Sequence, residues 1–443
     1  MGDGDRDVRL RSCFRARIGR GRGRARDRGQ HLRARRSHAC SPRGDVMSRA
    51  TARPIRVGLG GLGLGSALTV PYIASDARYR IVAAADPRKE ARDAFVAALG
   101  GRTYSDVEAL SGDRDVELVY VSTPHFMHRE HAIALVEAKR HVLVEKPLAR
   151  TADDAAAIVD AARRNGVWAL YGHTHAFDPV IQRMADIVRS GELGRLGTIQ
   201  TFNYNDLLYR PRAEWELDPI VSGGSPFIMG AHQIDIVRWI AGSPIKRVMG
   251  WSAALDEERP MPATHAAMVE FENGAAGSLL LSGYAHFDSA RWLGWRAESG
   301  DPRPRTSHRD TLAGYQARRE GVADEDNARD ARRIGVQPLQ TVPQLVGHET
   351  FGVTVVSCLG GDLRQTRSGL LIDEGLRTRR ITIPVQSGRD VMLDAVHRAL
   401  REEREPAIDA EWAVETVRIA QIIERRGFEA RDPEASGPWN SPA

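Results

Sequence analysis

Three features of this chain carry residue types able to do chemistry together. One is a glycine-rich turn, Val57-Gly-Leu-Gly-Gly-Leu-Gly-Leu-Gly65. Another is Lys146, the middle of a Glu145-Lys146-Pro147 triplet closing the apolar run His141-Val-Leu-Val144. The last is His232, which follows the loop Gly223-Gly-Ser-Pro-Phe-Ile-Met-Gly230, with Asp235 one helical turn further on. A glycine turn that opens a helix lets a pyrophosphate lie against the helix N-terminus, so the turn suits a dinucleotide. A partly desolvated lysine beside a positive nicotinamide has a lowered pKa and exchanges protons near neutrality. A histidine in the first turn of a helix is biased toward its neutral form and can accept a proton, and Asp235 is expected to orient it. The combination points to hydride transfer coupled to proton transfer. Neither the turn nor the lysine indicates this alone.

Two registers fit the turn, Gly58-x-Gly60-x-x-Gly63 and Gly61-x-Gly63-x-x-Ser66. The second is preferred, because Ile55–Gly60 must first complete a strand, after which Leu64 opens the helix. Asp86 ends the next strand. A carboxylate there takes the ribose hydroxyls of NAD and repels a 2′-phosphate. Arg88 lies close enough to neutralise such a phosphate, which keeps NADP as the alternative. Thr123-Pro124 stands where a later strand leaves the sheet, and with His128 and Glu145 it completes the expected cofactor contacts. His125, His128 and His131 recur at intervals of three, but no carboxylate joins them, so no metal is expected. Tyr209-Arg210-Pro211-Arg212 holds two arginines across a rigid proline. They can present forks to an acidic substrate or serve a solvated or subunit-interface role. His175, within Gly172-His173-Thr-His175-Ala-Phe-Asp178, is a further candidate for the pocket wall.

These residues need elements to hold them. Strand-like runs at Ile55–Gly60, Arg80–Asp86, Glu117–Ser122, His141–Val144 and Val167–Tyr171 alternate with helical patterns at Leu64–Ala74, Arg88–Leu99, His128–Lys139 and Ala152–Asn165. Thr151 is the expected N-cap of the last helix. Alternation of this kind predicts a parallel sheet with right-handed crossovers. After Pro179 the rhythm changes. Following the helix Val180–Ser190, longer strands at Leu196–Asn205, Ile245–Ala254, Ala266–Phe271 and Ala275–Tyr284 arrive in hairpin order, interrupted by the helix His232–Ile240. They predict an antiparallel sheet with helices on one face. Further strands are expected near Thr350–Cys358 and Arg380–Pro384, then helices at Gly388–Arg404 and Ala410–Arg426. The fold class is α/β, with an N-terminal dinucleotide-binding domain over residues 53–175 and an α+β domain over 176–430. Residues 299–345, dense in Arg, Asp, Gly and Pro, are expected to be a mobile insertion, and 431–443 a tail.

Composition sets the setting. The chain has 443 residues, 42% hydrophobic and 27% charged, which suits a soluble globular protein with two domains. Its net charge of +5 comes from the first segment: residues 1–46 hold 14 Arg against 5 Asp, leaving 49 basic and 53 acidic residues elsewhere. The body therefore offers no electrostatic reason to bind nucleic acid. The leader, residues 1–52, lacks apolar periodicity and is expected to be disordered, with Met47 as a plausible start. Cys13 and Cys40 lie in that leader and only Cys358 in the body, which excludes a disulfide framework or thiolate metal site there. No apolar run approaches a membrane span, and the N-terminus lacks the apolar stretch of a secretory signal. A cytoplasmic enzyme with a small-molecule substrate is expected.

Taken together, Gly61-x-Gly63 with Asp86, Thr123-Pro124, Glu145-Lys146-Pro147 and Gly230-x-His232-x-x-Asp235 resemble the glucose–fructose oxidoreductase / inositol dehydrogenase family. The resemblance covers residues 54–300 well and 350–428 loosely. It implies a Rossmann domain followed by an α+β domain whose open, largely antiparallel sheet builds a homodimer or homotetramer. It also implies that Lys146 and His232 contact substrate. Many sugar-oxidising members carry an aspartate four residues before the histidine, where this chain has Ile228, so their Asp–His relay is absent here. Segments His173–Asp178, Asn203–Arg212 and Tyr284–Ser289 resemble the 4,5-dihydroxyphthalate dehydrogenase branch. That resemblance implies oxidation of a cis-dihydrodiol of an aromatic acid such as phthalate, with Arg210 and Arg212 suited to a diacid.

Overall fold

The apolar runs of the first half become six parallel strands, β1 (Ile55–Gly60), β2 (Tyr79–Ala85), β3 (Arg102–Tyr104), β4 (Leu118–Val121), β5 (His141–Val144) and β6 (Ala169–Tyr171). Their spatial order is β3-β2-β1-β4-β5-β6. Helices cover both faces, which is why β4 reads as an unbroken Leu-Val-Tyr-Val with every residue buried. Strand order reverses between β1 and β4, and the crevice at their carboxyl ends is where such sheets bind ligands. The computed structural model describes residues 53–334 and 345–430. The expectations placed on the leader, on residues 335–344 and on the tail lie outside the described residues.

The second sheet has nine strands: β7 (Leu196–Tyr204), β8 (Ile245–Ala253), β9 (Thr264–Phe271), β10 (Ala276–Ser282), β11 (Val353–Cys358), β12 (Gly361–Thr366), β13 (Gly369–Glu374), β14 (Arg377–Thr382) and β15 (Phe428–Ala430). Their order is β14-β13-β12-β11-β7-β10-β9-β8-β15, antiparallel throughout except for the parallel pair β7 and β10. Helices lie against one face so closely that a Cβ at Gly250 would come within 2.5 Å of Ile423. On the other face Met249, Trp251, Met268 and Leu280 stand exposed. Met249 pairs with Met268 across the ladder, and Leu280 with Phe202.

The two sheets are fastened by the C-terminal helices. Helix Gly388–Glu402 returns to the first sheet, where Leu393 O accepts from the Tyr79 hydroxyl at 2.6 Å. Helix Ala410–Glu424 packs along helix Ala152–Asn165, capped by Thr151 as expected, and Glu424 pairs with Arg150 at 2.5 Å. No helix of the described residues is long and apolar enough to cross a membrane.

Residues 299–334 are not a structureless insertion. They carry helices Ser307–Arg319 and Glu325–Asp330, held down by Arg318 on Tyr209 O (2.7 Å), Thr311 on Asp206 (2.7 Å) and Arg259 on Glu325 (3.0 Å). Charge density there reflects ion pairs both with the body, as in Arg303–Asp288 and Arg259–Glu325, and within the segment, as in Arg329–Asp326 and Arg333–Asp330.

Candidate active site

Strand β1 ends at Gly60, and the chain turns through Gly61 at φ +93°, a conformation that favours glycine. Helix Leu64–Ser75 then begins with Gly63 as its N-cap and no side chain capping it. The first-turn N–H groups are thus left for an anion. Nothing lies within 4 Å of where a Cβ of Gly63 would point, so the backbone there is open to close approach. Ser66 ties the turn down by donating to Gly61 O at 2.6 Å and meeting Ser122 at 2.6 Å. This is the second of the two glycine registers, and it fits a dinucleotide pyrophosphate.

Asp86, buried at the end of β2, accepts from Leu62 N at 2.9 Å and holds Arg88 with two hydrogen bonds of 3.0 Å. The carboxylate expected to take the ribose thus shapes the glycine turn and pairs with Arg88. Glu145 accepts from the Tyr120 hydroxyl at 2.6 Å and from Lys146 N at 3.0 Å, which fixes the strand end carrying the lysine. Thr123 meets His131 at 2.9 Å.

His128 departs from expectation. Its two ring nitrogens lie 2.9 Å from Pro147 O and 2.9 Å from Thr123 O, and the side chain is buried. It staples the Thr123 loop to the Lys146-Pro147 loop, leaving no nitrogen for a cofactor. His125 packs edge-on against Trp215, so His125, His128 and His131 do not converge.

Lys146 is half-buried, and its Nζ donates to the backbone carbonyl of Ile228 at 2.7 Å. Burial lowers its pKa from the ordinary 10.5; Glu145 and Glu298 oppose the shift, and the charges of Arg212 and Arg389 assist it. Ile228 belongs to a wide helical turn, Pro226–Gly230, that runs directly into helix Ala231–Ala241. His232 sits one turn beyond Ile228, buried, with its pKa pushed well below 6.5 by burial and then by the Lys146 charge. Lysine and histidine therefore lie close enough for the ammonium charge to act on the imidazole. The histidine is oriented by the His175 N–H, 3.4 Å from Nδ1, and packs against the rings of His175 and Phe351 at 4.8 and 4.7 Å, which also touch each other at 4.9 Å.

Asp235 does not orient His232. Its Oδ1 accepts from Trp412 Nε1 at 2.8 Å and Thr416 Oγ1 at 2.5 Å, tying helix Ala231–Ala241 to helix Ala410–Glu424. The two arginines expected to fork a substrate acid are likewise engaged internally. Arg210 pairs with Asp206 at 2.7 Å. Arg212 donates to Leu207 O at 2.6 Å and to Glu216 at 2.8 Å, while Tyr209 bonds Asp256 at 3.1 Å. Asp206 and Glu216 each stand four residues from their arginine in sequence.

Residues missed by the sequence reading close the site from the far end of the chain. Arg389 pairs with buried Glu349 at 3.0 Å and reaches Thr69 of the first helix at 3.3 Å. Behind His175, Asp178 accepts from its Nδ1 at 2.7 Å, and His173 lies 3.6 Å from the other carboxylate oxygen. Burial drives the His173 pKa down to about 3, whereas His175 is raised because Asp178 outweighs its burial.

A profile for an oxidoreductase family with an NAD-binding Rossmann fold matches residues 55–173, and one for the GFO/IDH/MocA C-terminal domain matches residues 181–298. The chain belongs to the GFO/IDH/MocA oxidoreductase family. It is an NAD(P)-dependent dehydrogenase, as the family resemblance implied. Over 389 residues, 86% of this chain and 96% of the relative, it is 32% identical to 1-carboxy-3-chloro-3,4-dihydroxycyclohexa-1,5-diene dehydrogenase of Comamonas testosteroni. It is 30% identical over 247 residues to D-xylose 1-dehydrogenase (NADP(+)) 2 of Haloferax volcanii, covering 55% of this chain and 73% of that enzyme. A solved structure from Bordetella bronchiseptica RB50, described as a dehydrogenase, superposes with a TM-score of 0.79 at 30% identity over 85% of this chain and all of the other.

Proposed function

We propose that this family member oxidises a cis-dihydrodiol of an aromatic acid to the corresponding catechol, with NAD preferred over NADP. The observation that carries the reading is the Lys146 ammonium, its pKa lowered, docked on the Ile228 carbonyl one turn before a neutral His232. Gly61, Gly63 and the first turn at Leu64 would hold the dinucleotide pyrophosphate, Asp86 its adenosine ribose, and Thr123, Pro124 and Glu145 the nicotinamide end. Bound there, the nicotinamide supplies the acceptor for the hydride leaving the carbinol carbon. Lys146, in its neutral form, takes the hydroxyl proton, and His232 holds the substrate hydroxyl in line. Ile228 replaces the relay aspartate, and a dihydrodiol tolerates that loss because aromatisation supplies driving force. Similarity to the Comamonas enzyme along nearly its whole length supports this substrate class.

The test is NADH formation by the full chain across aromatic dihydrodiol acids, neutral sugars and inositols. The acids are expected to give the highest kcat/KM. Neutral polyols outcompeting them would return the enzyme to the sugar-oxidising part of the family. Lys146→Met should lower kcat by roughly 10²–10⁴ without weakening NAD binding. In the cell the protein is read as cytoplasmic and as a homodimer or homotetramer. Support for assembly comes from the exposed apolar face of the nine-stranded sheet, a surface large residues such as Trp251 seldom leave uncovered.

A further inference from the structure

His173, His175 and Asp178 are all buried and bring three potential ligand atoms within 4.8 Å of one another. Hydrogen bonding explains only part of this cluster. His175 Nδ1 and Asp178 Oδ2 are bonded at 2.7 Å. His173 Nε2 and Asp178 Oδ1 face each other at 3.6 Å, and neither has a hydrogen-bond partner. Buried polar atoms are nearly always satisfied, so a pair of orphans facing one gap calls for an occupant. The separation is too long for a good hydrogen bond. It is close to what two ligands, each about 2.1 Å from one ion, span in a tetrahedral site.

The backbone keeps that gap clear. A Cβ at position 388 would sit 2.6 Å from Asp178 Oδ1 and 2.7 Å from His173 Nε2, so Gly388 is the residue that leaves both atoms accessible. The local charge also suits a cation. Asp178 and Glu349 contribute two buried carboxylates against the single guanidinium of Arg389. Two imidazoles and a carboxylate are donors of the borderline type that zinc takes, and three protein ligands leave one position open.

We propose that His173, His175 and Asp178 form a binding site for one divalent transition-metal ion of the zinc class. His175 exchanges its hydrogen bond to Asp178 for the ion. The ion then sets the position of His175, whose ring and backbone N–H hold His232. The sequence reading foresaw no metal because it weighed only His125, His128 and His131. The His-x-His-x-x-Asp run at 173–178 is the arrangement that the fold gathers.

The decisive measurement is calorimetric titration of the full chain, stripped with chelator, with Zn2+, Co2+ and Mn2+ in separate arms, and visible spectroscopy of the cobalt form. The expected result is one Zn2+ or Co2+ per chain, an intense four-coordinate cobalt band, and a raised melting temperature with zinc. Affinity should fall at least tenfold in His173→Asn, Asp178→Asn and Gly388→Ala, and remain unchanged in His131→Asn. No stoichiometric binding by the unaltered protein overturns the proposal, whatever the variants do. So does tighter binding of Mn2+ than of Zn2+, or a cobalt band that persists in His173→Asn.

Discussion

Replacing His128 with leucine separates two roles for that residue, because a staple and a cofactor contact respond differently to pH. The imidazole is buried, and burial lowers its pKa from 6.5 to about 4; the Pro147 and Thr123 carbonyls pull the other way, and nearby His131 assists the decrease. Above pH 6.5 the ring is neutral in both folded and unfolded chains. As pH falls below 6.5 the unfolded chain takes a proton that the folded one refuses, so stability declines until the folded ring also titrates near pH 4. A gap of that size corresponds to about 3 kcal/mol at roughly 1.4 kcal/mol per pKa unit. Leucine has no such titration. It also leaves one of the two carbonyls, Pro147 O or Thr123 O according to the tautomer, without the single N–H donor of the neutral ring, at about 1–3 kcal/mol for a buried group. Urea unfolding of the full chain at pH 7, 5.5 and 4 should therefore show the variant less stable at pH 7 and the deficit shrinking by about 3 kcal/mol toward pH 4. His125, held neutral chiefly by its burial, keeps that part of its shift in both proteins and loses only the His128 contribution in the variant. Parallel stability curves, or an unaltered stability with a weakened NAD affinity, would refute the staple and restore His128 to the cofactor site.

Other expectations follow from the same geometry. Because Lys146 acts neutral and its pKa is lowered by burial, kcat/KM for oxidation should climb with pH to a midpoint below 10.5; Lys146→Arg, permanently charged, should abolish that climb, and an unchanged profile would exclude the lysine as base. Asp86→Ser removes the negative charge at the ribose and frees Arg88, so the ratio of kcat/KM with NADP to that with NAD should rise about 10–100-fold, equivalent to one charge-assisted hydrogen bond; a constant ratio would place the 2′-position elsewhere. Trp251→Glu puts a charge on the open sheet face, where the indole is 45% exposed, and should dissociate the proposed oligomer in sedimentation runs while leaving NAD binding intact. An undisturbed oligomer would mean assembly uses another surface.

How far the sequence could be read depended on whether a residue's partner was local. Strands β4 and β5 were legible because burial on both faces demands unbroken apolar runs. Strands β12 and β13 were not foreseen, since their outward positions hold Asp362, Arg364 and Asp373 and dilute the signal to that of a polar loop. Strand β3, three residues at a sheet edge, is too short to show a period at all. The same distinction divides the site. Lys146 and His232 were found because each is announced by its own neighbours, a strand end and a helix start. Asp235 looked like the partner of His232 at i+3, yet the offset between those positions turns its carboxylate to Trp412 and Thr416, which arrive almost two hundred residues later. Arg389, Glu349 and Phe351 reach the site only because helix Gly388–Glu402 and strand β11 fold back on it, and nothing in their own segments marks them. Ile228 is the sharpest case. Judged by side chain, the position offers no acid. Its backbone carbonyl nevertheless receives the lysine at 2.7 Å, and any residue at position 228 would present that carbonyl. The anchoring of Lys146 thus needs no acid at position 228. That is why turnover here should depend on Lys146 and on a substrate that gains aromaticity, and why restoring aspartate at 228 should change the pH profile more than the affinity for NAD.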